Sequence, residues 1–228
     1  MSTIPIRVAR ESLTRPVAVI DIGATSIRMA IADINERREV HILENLSQAV
    51  TLGKDTFNTG IISKNSIEQS VRVLHSYNRL MREYGITRSD QVRVVATSAV
   101  REAQNRLAFL DRVFIATGLE IEPLDEAEVN RIAYMGIQPE LRADPQLSNK
   151  RVLVVEFGGG STEILVVQSG DVLYSHTFRL GSLRLQEMME LVNTTPGKRH
   201  LILESQIVRQ VALIREEIES YMPLEMVS

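Results

Sequence analysis

Val152-Leu153-Val154-Val155-Glu156-Phe157-Gly158-Gly159-Gly160-Ser161-Thr162-Glu163-Ile164-Leu165-Val166-Val167 is the stretch whose reading decides the fold. Four aliphatic residues signal a buried strand, three glycines make a turn without Cβ atoms, and a second apolar run leads away. The segment reads strand, tight turn, strand. Bare N–H groups in such a turn, with the Ser161 and Thr162 hydroxyls beside them, form a nest of donors suited to a phosphate or another oxyanion. Glu156 and Glu163 stand at the rims and would repel that anion unless a cation sits between them, so a divalent metal is the simplest addition. Taken alone, Gly-Gly-Gly reads equally well as a hairpin turn that uses glycine only for its geometry.

An echo near the N-terminus tips the balance. Val17-Ala18-Val19-Ile20-Asp21-Ile22-Gly23-Ala24-Thr25-Ser26-Ile27-Arg28-Met29-Ala30-Ile31-Ala32 has the same order of aliphatic strand, acid, glycine, hydroxyl residues and second strand. Asp21 matches Glu156, Gly23 matches Gly158 and Ser26 matches Ser161, each 135 positions apart. Two copies so widely spaced are not a solenoid. They imply two similar lobes, each offering a glycine turn to a shared cleft.

A length of 228 residues suits two modest cores, and 44% hydrophobic with 24% charged residues is ordinary for a globular chain. The net charge of −3 conceals an asymmetry. Residues 1–118 hold 16 Lys and Arg against 12 Asp and Glu, while 119–228 hold 10 against 17. With only 4% aromatics and no basic excess, a nucleic-acid-coating role is disfavoured, and local arginines must do any anion binding. The absence of cysteine fits a reducing, cytoplasmic setting. No apolar run approaches the roughly 20 residues needed to span a bilayer, so no membrane role is expected. Residues 1–16 carry Arg7, Arg10 and Arg15 without an apolar block after them, so they read as a flexible leader rather than a secretory signal.

Along the chain, Glu39 to Leu46 continues as a third strand, and Thr51 to Ser63 reads as a loop. Ser63 caps a helix that Gly85 stops, and Val92 to Ala96 forms a short strand. The strand runs into Thr97-Ser98-Ala99-Val100-Arg101, where a helix N-terminus offers free N–H groups and hydroxyls. Arg101 lies close enough on the first turn to reach the same anion, although a plain cap with a surface arginine has the same spelling. A helix to Thr117 and a strand from Leu119 to Leu124 follow. Asp125-Glu126-Ala127-Glu128 opens an acidic helix, and 138–150, with two prolines, reads as an exposed linker. Leu201 to Tyr221 forms an amphipathic helix with Ile207, Val211, Ile214 and Ile218 on its core stripe.

These motifs together resemble the exopolyphosphatase and guanosine pentaphosphate phosphohydrolase (Ppx/GppA) family, within the actin-like, hexokinase-like ATPase superfamily. The resemblance rests on Asp21 to Arg28, on Ala96-Thr97-Ser98-Ala99-Val100-Arg101-Glu102-Ala103, on Met135-Gly136, on Gly158 to Glu163 and on Leu180-Gly181-Ser182-Leu183-Arg184-Leu185. It implies an α/β fold of two ribonuclease-H-like lobes, each with a mixed five-stranded sheet flanked by helices. The first lobe would span 17–124 and the second, incomplete, 125–228. It also implies Mg²⁺-assisted hydrolysis of a terminal phosphoanhydride of inorganic polyphosphate or pppGpp, with polyphosphate or guanosine penta- or tetraphosphate as partner and a homodimer allowed.

By the same resemblance, Gly23, Thr25, Ser26, Arg28, Ser98, Arg101, Gly158, Gly159, Gly160, Ser161 and Thr162 would hold phosphate. Asp21, Glu156 and Glu163 would face the metal, and Glu128 would be the catalytic base.

The sequence departs from the family at several points. Aspartate is usual where Glu156 stands, and Ser-Asn where this chain has Ala24-Thr25. The family's base precedes an Ala-Arg pair, a register that falls here on Val129-Asn130-Arg131, leaving Glu128 about 100° away around the helix. The family's second lobe also continues past the end of this chain, with a further glycine-rich motif. Loss of the base at Val129 would leave a polyphosphate- or (p)ppGpp-binding module without turnover. A nucleotide-dependent kinase is a weaker third reading, since no adenosine-side motif is visible.

Overall fold

The computed structural model describes residues 14–147, 149–191 and 195–227, so the expected leader lies outside them up to residue 13. Two mixed α/β units follow one another, built on one plan. In the first, β1 (Arg15–Ile22), β2 (Ser26–Ile34) and β3 (Val40–Ala49) form an antiparallel meander. Helices α1 (Leu52–Thr59) and α2 (Lys64–Glu83) then carry the chain back to β4 (Val92–Ala96), which lies parallel to β1. Short α3 (Ser98–Arg101) and α4 (Arg106–Thr117) lead to β5 (Ile121–Pro123), giving a five-stranded sheet in the order β3-β2-β1-β4-β5.

After α5 (Glu126–Ala143) the plan repeats. The strands β6 (Arg151–Phe157), β7 (Thr162–Gln168) and β8 (Asp171–Phe178) form a second meander. Then α6 (Ser182–Leu191) and α7 (Pro196–Ile218) return the chain to β9 (Glu225–Val227), parallel to β6. The described second sheet has four strands, β8-β7-β6-β9, where five were expected.

Strand periodicity explains the first core. Ala18, Ile20 and Ile22 of β1 and Ile27, Met29 and Ile31 of β2 alternate onto one face and are at most 1% exposed. Leu74 and Tyr77 of α2 and Phe109 of α4 close over them. Each fully buried isoleucine contributes about 1.5–3 kcal/mol of apolar burial, so this face is the main stabilising element. The Tyr77 hydroxyl, buried with the core, donates to the Ile27 carbonyl at 2.9 Å and so satisfies its own polarity.

The second unit divides its apolar residues between the two faces of its sheet. Val152, Val154, Leu165 and Val167 pack under α5, while Ile164, Val166, Phe178 and Leu180 pack with Ile218 of α7. Consequently β7 is buried on both faces from Thr162 to Val167, which is why its apolar run is unbroken.

Three segments differ from their sequence reading. The expected loop at 51–63 contains α1, whose Leu52 is fully buried and whose Thr56 hydroxyl donates to the Ala99 carbonyl at 2.8 Å. Tertiary anchoring there overrides the poor helix propensity of Gly53, Asn58 and Thr59. The expected linker at 138–150 is largely helical, because α5 continues through Pro139 to Ala143 with buried Leu141 fixing its last turn. On α7, Ile218 is buried but Ile207 and Val211 are 37% and 51% exposed, so the expected stripe is only partly core.

Candidate active site

The two hairpin turns are copies in detail. Gly23 N–H donates to the Ser26 carbonyl at 2.9 Å, and Gly158 N–H donates to the Ser161 carbonyl at 2.9 Å. Closing pairs are Ile22 with Ile27 and Phe157 with Thr162, and one step back Asp21 faces Arg28 while Glu156 faces Glu163. Both turns border one pocket of about 160 Å³. Thirteen sequence-predicted residues line it: Asp21, Gly23, Thr25, Ser26, Arg28, Ser98, Arg101, Glu156, Gly158, Gly159, Gly160, Ser161 and Glu163. A larger cleft of about 760 Å³ behind β4 and β5, bordered by Arg82, Arg88 and Glu120, contains none of them.

The second turn packs its glycines against side chains of the first unit. A Cβ on Gly160 would lie 2.4 Å from Ser98 Oγ and 2.5 Å from the Phe57 ring, so glycine here admits the other unit's side chains. The sequence reading gave this glycine to ligand approach; its packing role is equally demanding. A Cβ on Gly181 would lie 2.5 Å from the Gly159 carbonyl carbon, so the segment before α6 needs glycine to seat against the turn.

Electrostatics in the pocket are opposed to one another. Burial raises the Asp21 carboxyl above its ordinary 3.8, with Arg28 pulling it down and Glu156 pushing it up again. Its Oδ1 is buried without a hydrogen-bond partner among the described residues. Burial likewise raises Glu163, which is 5% exposed; the Ser161 hydroxyl, donating at 2.6 Å, opposes that shift and Glu156 adds to it. Glu156 is therefore the charge felt by both acids, half-buried Asp21 and buried Glu163. On the cationic side, Arg101 is held by the Leu124 carbonyl at 2.9 Å and lies 3.8 Å from Glu126.

Among the described residues no three His, Cys, Asp or Glu side chains form a ready metal cage. The donors present nevertheless suit Mg²⁺, which commonly takes one or two carboxylates and completes its shell with water and substrate phosphate. The orphaned Asp21 Oδ1, with Glu156 close enough to raise the Asp21 pKa, is the corresponding feature of this chain.

Two expected residues are placed elsewhere. Glu128 does not line the pocket: its carboxylate accepts 2.7 and 2.8 Å hydrogen bonds from Arg131 and lies 3.6 Å from Arg93. The Arg131 hydrogen bond holds its pKa below the usual value, the wrong direction for a base. The helix turn separating 128 from 129 is the reason, and Val129 is the residue that reaches the pocket wall. Thr162 is buried, and its hydroxyl donates to the Leu180 carbonyl instead of facing the pocket.

Ala24 and Thr97, read in the sequence only as a departure from the family's loop and as part of a helix start, also line the pocket. Arg184, quoted only as part of a motif, holds the second turn from behind. Its Nε donates to the Gly160 carbonyl at 2.9 Å, and its guanidinium binds both carboxylate oxygens of Glu102 at 2.9 and 3.0 Å. Its charge adjacent to a glycine turn was the available signal.

A two-unit α/β scaffold with paired glycine turns on one acid- and arginine-lined pocket is the class that this geometry defines. Within it, the model of the Ppx/GppA phosphatase family matches residues 30–221, and the chain belongs to that family. Exopolyphosphatase 2 of Mycobacterium tuberculosis is 33% identical over 184 residues, covering 77% of this chain and 55% of the relative. A bifunctional 3-dehydroquinate synthase/phosphatase of Fusobacterium nucleatum is 28% identical over 181 residues, covering 77% of this chain and 26% of the relative.

The chain thus spans about half the length of the exopolyphosphatase relative or less of the others it matches. Among solved structures, an exopolyphosphatase from Cytophaga hutchinsonii shares the fold with a TM-score of 0.80 at 22% identity, covering 93% of this chain and 65% of that one. The Aquifex aeolicus Ppx/GppA family member superposes with a TM-score of 0.69 at 27% identity, covering 94% and 66%.

Proposed function

We propose that the chain handles phosphate in a hydrolase that removes the terminal phosphate of inorganic polyphosphate or pppGpp, with Mg²⁺ bound between the two units. The observation that carries this reading is the convergence of both glycine turns, Arg28, Arg101 and three carboxylates on one pocket. Phosphoryl transfer asks for little covalent help and for much charge stabilisation. N–H groups of the second turn, the Ser26 and Ser98 hydroxyls and the two guanidiniums would hold the terminal phosphoryl oxygens.

Asp21 and Glu156 would hold Mg²⁺, which when bound neutralises negative charge on the phosphates. Glu163, oriented by the Ser161 hydroxyl and raised by burial, is the carboxylate best suited to take the proton of the attacking water. The water oxygen bonds to the terminal phosphorus, the bridging P–O bond breaks, and its electron pair leaves with the shortened chain. Orthophosphate is the other product.

Val129 supports a second reading. An apolar side chain occupies the wall where the family's base is expected, and Glu128 is held by arginine, so the pocket would also suit recognition without turnover. Phosphate release from polyphosphate and from pppGpp, with and without Mg²⁺, separates the two. Metal-dependent release supports the hydrolase. Micromolar binding of either compound with no release supports the sensor, and neither binding nor release rejects both.

A further inference from the structure

We propose that Arg184 is a positioning residue: it fixes the peptide planes of the second glycine turn so that their N–H groups face the pocket, and it ties that setting to Arg101 through Glu102. The inference rests on the phosphate-binding reading above.

A trans peptide holds its C=O and N–H in opposite directions within one plane, so fixing a carbonyl also fixes the next residue's N–H. Here three consecutive carbonyls are held from the α6 side. Gly158 O accepts from Ser182 N at 3.0 Å, and Gly159 O accepts from Leu183 N and Arg184 N at 3.0 and 3.1 Å. Among the described residues Gly160 O has no such backbone donor and accepts instead from Arg184 Nε at 2.9 Å. The opposite ends of these planes are the N–H groups of Gly159, Gly160 and Ser161. Among the described residues all three lack a protein acceptor, although their residues line the pocket. The first two planes are set by the free N–H groups that any helix start provides. The third depends on one side chain.

That side chain is itself held on three sides. Its Nη2 donates to both carboxylate oxygens of Glu102, and its guanidinium stacks 4.1 Å above the Phe57 ring and is 22% exposed. Glu102 is the residue after Arg101, and Phe57 belongs to α1, so the second turn is referenced to the first unit's arginine and not only to its own sheet. The planar guanidinium serves the Gly160 carbonyl through Nε and Glu102 through Nη2 at once, which the single ammonium of a lysine cannot reproduce.

The test compares Arg184→Gln, Arg184→Lys and Glu102→Gln with the unaltered protein, using tripolyphosphate and long-chain polyphosphate. The expected result for both Arg184 variants is a fall in kcat of at least ten-fold with KM changed less than three-fold. The turn can still meet ground-state phosphate, but it loses alignment in the transition state. Glu102→Gln, which keeps the bond to Gly160, should lose less kcat than Arg184→Gln. Amide exchange at Ser182, Leu183 and Arg184 should accelerate at least ten-fold in Arg184→Gln, while α2 amides keep their protection.

Unchanged kcat together with unchanged exchange at those amides would overturn the inference. So would a loss of kcat matching the loss of folded protein, measured by thermal melting. If the unaltered protein binds tripolyphosphate without releasing phosphate, the hydrolase reading fails. Arg184 is then judged by exchange alone, which should accelerate at least ten-fold at those amides in Arg184→Gln and would refute the positioning role if unchanged.

Discussion

The two hairpins share backbone, register and turn hydrogen bond but not charge. On β1 and β2 the acid Asp21 faces Arg28, whereas 135 residues later on β6 and β7 the acid Glu156 faces Glu163. An opposite-charge pair across strands is self-compensating, and a like-charge pair is destabilising. The first unit therefore presents a neutralised rim and the second an excess of negative charge that a cation or a bound proton must relieve. One scaffold used twice thus presents rims of different charge balance to one pocket, because a cation stands at 28 and an anion at 163.

The largest test of this contrast is to neutralise its negative side. Glu163→Gln should lower phosphate release by about 10³-fold, the range for losing a positioned base, measured as kcat under saturating Mg²⁺. Retention of more than a tenth of the rate would place the proton acceptor elsewhere. The contact between the units comes next. Gly160→Ala forces a methyl into Ser98 and Phe57 and should destabilise the protein by about 1–3 kcal/mol in urea unfolding. Gly159→Ala meets Thr25, Ala24 and Leu183 at ordinary contact distances of 3.5, 3.6 and 3.9 Å and should cost under about 0.5 kcal/mol.

A smaller gain is expected from restoring an acid to the pocket wall. Val129→Glu should raise kcat about ten-fold if water activation limits the rate. No gain, with binding intact, would show that Glu163 already meets that need. The smallest effect concerns the metal-free protein. Asp21→Asn removes a half-buried charge with an unpartnered oxygen, so its melting temperature should rise by about 2 °C in the presence of chelator. A lower melting temperature would mean that the Asp21–Arg28 pairing outweighs burial.

Much of this site was legible because hairpin chemistry is local. Acid, glycine and serine at matched offsets are written in consecutive residues, and Thr97-Ser98 with Arg101 reports a helix start at a strand end. What was not legible depends on helix phase or on distant partners. Glu128 and Val129 are adjacent in sequence yet diverge by a third of a turn, and nothing local indicates that Arg131 holds the acid. Thr162 looks like its neighbour Ser161 until Leu180, 18 residues away, takes its hydroxyl. The helix α1 was concealed by its own composition, since burial of Leu52 and the bond from Thr56 to Ala99 arise only after β4 and α3 are in place. Likewise Pro139 suggested a boundary that the packing of Leu141 on the second sheet overrules.

The matched turns also set a rule for inhibitor design. On the proposed phosphate-binding reading, two turns that border a single pocket of about 160 Å³ would act as a bivalent receptor for anions, and a molecule with one phosphonate would engage only half of it. A methylene bisphosphonate, whose P–C–P bridge water cannot cleave, joins two anionic heads through a short linker. Its second head then binds at the millimolar-or-higher effective concentration that such a linker confers, and its potency should exceed that of a monophosphonate by about 10²-fold or more.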